Sequence, residues 1–223
     1  MAIENAGEAS SSASGAFATI AMVFFVYSAV AILALHFLRP DYAPASNFIS
    51  NYAVGRYGWV MTTWFLAMSC GLLTLSAGLY TNGLRSIVAT LGIFLLVVAA
   101  IGLVVSAIYP TDAPGAPSTS SGAIHDISFL VNVGSILIAT VLLSASFGRN
   151  PAWRSYRRTA WILTSLIFIG FVVQFLTLHK GMPYGLANRF FVAVLLAWLF
   201  AASFQLRGRL HEQAVEKDPI DRQ

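Results

Sequence analysis

The residues able to do acid–base or metal chemistry gather in three short polar stretches of an otherwise apolar chain. His36 precedes, and Asp41 lies within, the stretch 38–57 (LRPDYAPASNFISNYAVGRY). Asp112, His125 and Asp126 share 108–126 (IYPTDAPGAPSTSSGAIHD), and His179 falls in 178–189 (LHKGMPYGLANR). Asp41, Asp112 and Asp126 are the acids that lie outside the two ends of the chain. Aspartate and histidine supply the oxygen and nitrogen ligands that zinc takes, three or four of them converging at about 2.0–2.2 Å. On that reading Asp41, Asp112, His125 and His179 are candidate metal ligands. Asp126, with His125 beside it, is the candidate catalytic residue, a base for metal-activated water. The competing reading needs no metal: the three aspartates pair with Arg39, Arg56, Lys180 or Arg189, or cap helices, and so fix the loops. Nothing in the spacing forces the ligands together, so no cofactor is expected, with zinc as the alternative. The chain has no nucleophile elbow, phosphate-binding glycine loop, CxxC pair or HExxH motif.

The elements that must position these groups are apolar helices. Six runs, over 16–38, 57–80, 84–108, 123–147, 159–178 and 187–206, carry almost no charge. Each is close to the roughly 20 residues that a helix needs to cross hydrocarbon. A charge at the bilayer centre costs about 2.5–3.5 kcal/mol, which explains why the ionised residues lie between the runs. Of the 223 residues 57% are hydrophobic and 10% charged, against about 25% charged in a soluble domain. The expected fold is all-α, a six-helix transmembrane bundle over 16–206, with a disordered tail at 1–15 and a polar cytoplasmic tail at 207–223. Residues 1–15 contain no Lys or Arg, unlike the basic start of a secretory signal, so the first run reads as a retained helix. Cys70 is the one cysteine and excludes a disulfide within the chain.

Six spans place both ends on the side of the second and fourth connections. That side holds nine basic residues (Arg85, Arg149, Arg154, Arg157, Arg158, Arg207, Arg209, Lys217, Arg222), and the other holds four (Arg39, Arg56, Lys180, Arg189). By the positive-inside rule the ends are cytoplasmic and the odd-numbered connections face outward, in a bacterial inner membrane. The basic residues, with a pI near 9.5, are thus explained by topology, and no nucleic-acid partner is expected. In 149–158 (RNPAWRSYRR) Trp153 and Tyr156 read as interface anchors among arginines.

Within the first outward connection, Ser46 reads as the N-cap and Gly55 as the stop of a short interfacial helix. The Pro-, Ser- and Thr-rich stretch 110–122 reads as irregular, which places His125 and Asp126 in the first turn of the fourth helix. From there Ser128, Asn132 and Ser135 follow at helical spacing, a polar stripe that must face the bundle interior. Gln174 and Thr177 do the same on the fifth helix, which predicts a partly polar funnel opening outward. Gly71, Gly78, Gly92 and Gly102 read as points of close helix packing. The expected outer-face binding cluster is Asp41, Ser46, Asn47, Ser50, Tyr52, Arg56, Asp112, His125, Asp126, Asn132, Gln174, His179 and Arg189.

With these motifs laid out, the chain resembles the family called domain of unknown function 998, six-span membrane proteins of bacteria and archaea. The resemblance rests on RPDYAPASNFISNYAVGRYGWVM at 39–61, Tyr-Pro-Thr-Asp at 109–112, the His125 start of the fourth span, and GLANRF at 185–190. Family members often carry an acid before the arginine of the last motif, where this chain has Asn188. The resemblance implies fold and topology and brings no reaction, cofactor or substrate. Membrane hydrolases of the alkaline ceramidase type are similar in gathering Ser, Asp and His at one face, but their closing His-x-x-x-His pair is absent here. The expected role is to bind a lipid or a partner protein at the outer face of the bilayer. A metal-dependent membrane hydrolase acting on a lipid is the main alternative, and a facilitator of a small neutral solute the second.

Overall fold

The computed structural model describes residues 2–179 and 181–217, and the side chains of 13–151, 153–179 and 181–208. Six helices follow one another: α1 (Ala2–Leu38), α2 (Gly58–Thr81), α3 (Ile87–Ile108), α4 (Ser120–Arg149), α5 (Arg157–Leu176) and α6 (Tyr184–Lys217). Single 3-10 turns occur at Ile49–Ala53 and Pro151–Trp153, and no strand occurs among the described residues. All six helices are long and apolar enough to cross a membrane, so the chain is a multi-pass integral membrane protein. Each helix packs on the next and α6 returns to α1, closing a ring in which α2 is the most buried stave. We call the end that carries the first, third and fifth connections the odd-loop end.

Helix ends follow local chemistry. Ser86 accepts the Ala89 N–H at 3.2 Å and starts α3, and Gly83, at φ +80°, takes the left-handed turn that leads out of α2. Thr119 accepts the Gly122 N–H at 3.1 Å and starts α4 at Ser120. That is one turn earlier than the sequence predicts, so His125 and Asp126 stand in the second turn, not the first. The first connection also differs from expectation. Ser46 is exposed and caps nothing, and in its place Asn51 Oδ1 accepts the Phe48 N–H at 2.8 Å and organises the turn Ile49–Ala53. α1 continues back to Ala2 through residues expected to be disordered, since extending an existing helix avoids the cost of nucleating one. α6 likewise runs on to Lys217 through the expected polar tail, and 218–223 lie outside the described residues.

Small residues bring the helices together where the sequence placed them: the Phe25 ring lies on Gly71, and Asn132 of α4 packs on Gly102 of α3. At the even-loop end α4 and α5 are firmly joined. Ser144 Oγ and Thr164 Oγ1 are 3.0 Å apart, and Phe147 stacks on Trp153 at 4.3 Å between ring centroids. Trp153 and Tyr156, expected at the membrane interface, are buried in this cluster together with Trp198, because Pro151–Trp153 turns the loop inward. Towards the odd-loop end the two helices part. α4 leans on α3, with Ser106 Oγ and Ser128 Oγ 2.8 Å apart, and α5 leans on α6, where Gly170 accommodates Phe190 and Phe191. α5 is the shortest of the six, at 20 residues.

Candidate functional site

Two arginines organise the odd-loop end. Arg39, 6% exposed, grips Asp41 with Nε (2.9 and 3.1 Å) and Nη2 (2.7 Å). Its Nη1 donates to the carbonyls of Val54 (2.6 Å) and Arg56 (2.8 Å), so both ends of the first connection close on one guanidinium. Arg189 holds the middle: it donates to the carbonyls of Pro44 (2.9 Å), Asn47 (2.6 Å) and Gly185 (3.0 Å) and to the Tyr52 hydroxyl (3.0 Å). Its Nε also donates to His36 Nε2 at 2.7 Å. His36 Nδ1 lies 2.7 Å from the Ile32 carbonyl, which can only accept. The hydrogen-bond pattern therefore assigns His36 as the neutral tautomer protonated on Nδ1.

Beneath this clamp a cavity of about 320 Å³ occupies the odd-loop half of the bundle, between α2, α4, α5 and α6. Phe48, Ile49 and Ser50 of the first connection line its odd-loop end, and Met61, Phe65, Met68, Phe129 and Phe191 are among its walls. Leu130 and Phe175, 62% and 43% exposed, line it on the side where α4 and α5 part. Four polar side chains reach it from the interior with hydrogen-bonding capacity left over. Trp64 Nε1 is buried with no partner among the described residues. Asn132, 4% exposed, makes no side-chain hydrogen bond to a described residue. His125 Nδ1 lies 2.9 Å from the Tyr109 carbonyl, which leaves Nε2 as an acceptor. Gln174 Oε1 accepts from Asn188 Nδ2 at 2.9 Å, which leaves the Gln174 amide nitrogen unused. Buried polar groups in native proteins are nearly always paired, so this concentration marks a place for something polar.

A family model described as a protein of unknown function, DUF998, matches residues 15–205. The chain belongs to that family. No curated protein and no solved structure matches it. In this DUF998 protein the two most extended stretches of resemblance, 39–61 and 185–190, are the two halves of the clamp. Gly185 N donates to Ala45 O at 2.9 Å, and Asn188 Oδ1 accepts from Ile49 N at 3.0 Å. Asn188 thus uses both ends of its amide: one holds the first connection and the other holds Gln174.

The expected outer-face cluster divides into groups that do different things. Asp41, Asn47, Tyr52, Arg56 and Arg189 belong to the clamp, Asn47 and Arg56 through their carbonyls. Ser46 is exposed beside it. Ser50, His125, Asp126, Asn132 and Gln174 line the cavity. Asp112 stands apart, accepting from Thr119 Oγ1 (2.6 Å) and Thr119 N (3.0 Å) ahead of α4, with Gly122 leaving room for its carboxylate. His179 is exposed in the turn after α5. The candidate metal ligands Asp41, Asp112, His125 and His179 therefore each sit in a separate setting, and no three His, Cys, Asp or Glu side chains converge among the described residues. Thr177, expected in the polar funnel, bonds its own helix at Val173 O instead (2.7 Å). The interior stripe is as expected: His125, Ser128, Asn132 and Ser135 are all buried. Sequence reasoning passed over Trp64, whose signal is an indole well inside a span, away from the interface where tryptophan is usually enriched.

The two structured acids predict an acid limit. The Arg39 guanidinium holds Asp41, and the Thr119 hydroxyl and N–H hold Asp112, below the usual carboxylate range. A lowered folded pKa stabilises the fold above the unfolded value near 3.8 and loses that contribution as pH falls through the folded one. The melting temperature in detergent is expected to drop as the pH falls below about 4. Asp41→Asn with Asp112→Asn should flatten that drop, and an undiminished drop would assign it to other groups.

Proposed function

We propose that this protein binds a lipid in the cavity between α4 and α5, entered sideways from the membrane, without catalysis. The observation that carries the reading is a largely apolar cavity lined by the unpaired indole N–H of Trp64 and by Asn132 and His125, whose side chains keep hydrogen-bonding capacity in hand, bordered by the exposed Leu130 and Phe175. A molecule with a polar head and an apolar tail satisfies both parts at once: the head meets the unpaired groups and the tail leaves through the seam. The first connection, held by Arg39 and Arg189, lies across the odd-loop end, which favours lateral entry over the open funnel that the polar stripe predicted. The nine-to-four distribution of basic residues supports placing the odd-loop end on the outer side of a bacterial inner membrane.

The test is lipid retained by the purified full chain, read by mass spectrometry under non-denaturing conditions. Wild-type protein is expected to keep a defined lipid through detergent exchange. Asn132→Leu, which keeps shape and removes the amide, should reduce that occupancy about tenfold, the equivalent of one buried hydrogen bond. Equal retention by wild type and variant, with both folded, would overturn the assignment of the cavity.

A further inference from the structure

Resting on the reading of the cavity as a lipid site, we propose that its ligand is an uncharged lipid bearing a hydroxyl head, of the acylglycerol or fatty-alcohol kind, and not a phospholipid. The first argument is charge. Among the described residues no Arg or Lys lines the cavity, and the one acid that does, Asp126, carries the same sign as a phosphate. Of the arginines of the odd-loop end, Arg39 is held by Asp41 and Arg189 by the first connection and His36, and the exposed Arg56 lies over Tyr57 at 4.7 Å, outside the cavity lining. A phosphate would meet no counter-charge from the described lining, and buried charges are tolerated only when paired.

The second argument is hydrogen-bond polarity. Trp64 Nε1–H and the Gln174 amide nitrogen can only donate, His125 Nε2 can only accept in the tautomer set by Tyr109, and Asn132 offers one of each. An ester carbonyl answers the donors alone. A hydroxyl can both accept and donate, so an alcohol head answers both kinds of group where an ester or ether oxygen answers one. The third argument is size. A volume of about 320 Å³ is roughly ten times the share of one water in the liquid, room for a glycerol-sized head and the start of a chain. The remainder of the chain then lies between Leu130 and Phe175, in the bilayer.

The full chain in a maltoside micelle is titrated with a long-chain monoacylglycerol, with phosphatidylglycerol and with a long-chain primary amine. Thermal shift and occupancy by non-denaturing mass spectrometry are recorded. The monoacylglycerol is expected to bind and raise the melting temperature, with affinity about tenfold lower in Trp64→Phe, which keeps the ring and loses only the N–H. Phosphatidylglycerol is expected to adhere equally to wild type and variant, as lipid around the bundle. Phosphatidylglycerol binding that is weakened by Trp64→Phe and displaced by monoacylglycerol would overturn the inference while leaving a lipid site in place. Preference for the amine, abolished in Asp126→Asn, would overturn it in favour of a cationic head. If no ligand responds to either Trp64→Phe or Asn132→Leu, the lipid reading itself falls.

Discussion

Phe147→Ala is expected to be strongly destabilising, by about 3–5 kcal/mol, the range for removing a fully buried aromatic side chain. Phe147 has no exposed surface. It stacks on Trp153 at an interplanar angle of 13°, meets Tyr156 edge-on at 5.5 Å and lies 6.2 Å from Trp198. In a membrane the loss is mainly of packing contacts, and rings anchored on a 3-10 turn and on α6 cannot collapse to restore them. Thermal unfolding in detergent, followed by tryptophan fluorescence, measures the effect. Because this cluster joins α4 to α5 at the even-loop end, the variant should also loosen lipid retention at the opposite end. A change below about 1 kcal/mol would mean that the cluster does not hold the two helices together.

Gly185→Val is the second large effect. A Cβ at Gly185 would run into the Pro44 carbonyl and stand 2.6 Å from the Asn47 carbonyl and 2.9 Å from the Ala45 carbonyl carbon. All three are backbone atoms, so no side chain can swing aside. The first connection must lift from α6, breaking the bonds from Gly185 to Ala45, Ile49 to Asn188 and Arg189 to Pro44 and Asn47. At about 1 kcal/mol each, that is on the order of 3–4 kcal/mol. Maleimide labelling of a cysteine placed at Ser50, in a Cys70→Ser background, should speed up markedly in the valine variant. Unchanged labelling and melting would show that the connection is held without this contact. The alanine variant meets the same three atoms and is expected to behave alike, which separates a backbone clash from an effect of side-chain size.

The spans were legible because hydrocarbon imposes one rule on every residue within it, and long uncharged apolar runs suit almost no setting but a bilayer. The stripe from His125 to Ser135 was legible for the same reason: lipid offers those groups nothing, so their shared face had to turn inward. What resisted reading was the choice among competing local partners. Asp112 and Asp126 both precede or open α4, yet it is Asp112 that meets the helix start, since Thr119 lies within reach of it and Gly122 leaves space. The pentapeptides at 40–44 and 110–114 look alike in sequence, but Asp41 closes on Arg39 and Asp112 on Thr119. Trp153 and Tyr156 have the composition of an interface anchor, and only the inward turn at Pro151–Trp153 puts them in the core. The cavity was half visible: Asn132 and Gln174 announced it, whereas the orphaned indole of Trp64 and the parting of α4 from α5 arise from packing between distant segments.

The brevity of α5 has a consequence for where this protein can work. Its 20 residues rise about 30 Å, the thickness of an average hydrocarbon layer, beside an α4 of 30 residues that rises about 45 Å. A bilayer only slightly thicker than that draws the odd-loop end of α5 below the headgroups and submerges the seam among acyl chains. A thinner one lifts the same seam towards water. Hydrophobic mismatch at a single stave therefore sets the depth of the seam and, on the proposed lipid reading, ties occupancy to the membrane's own composition.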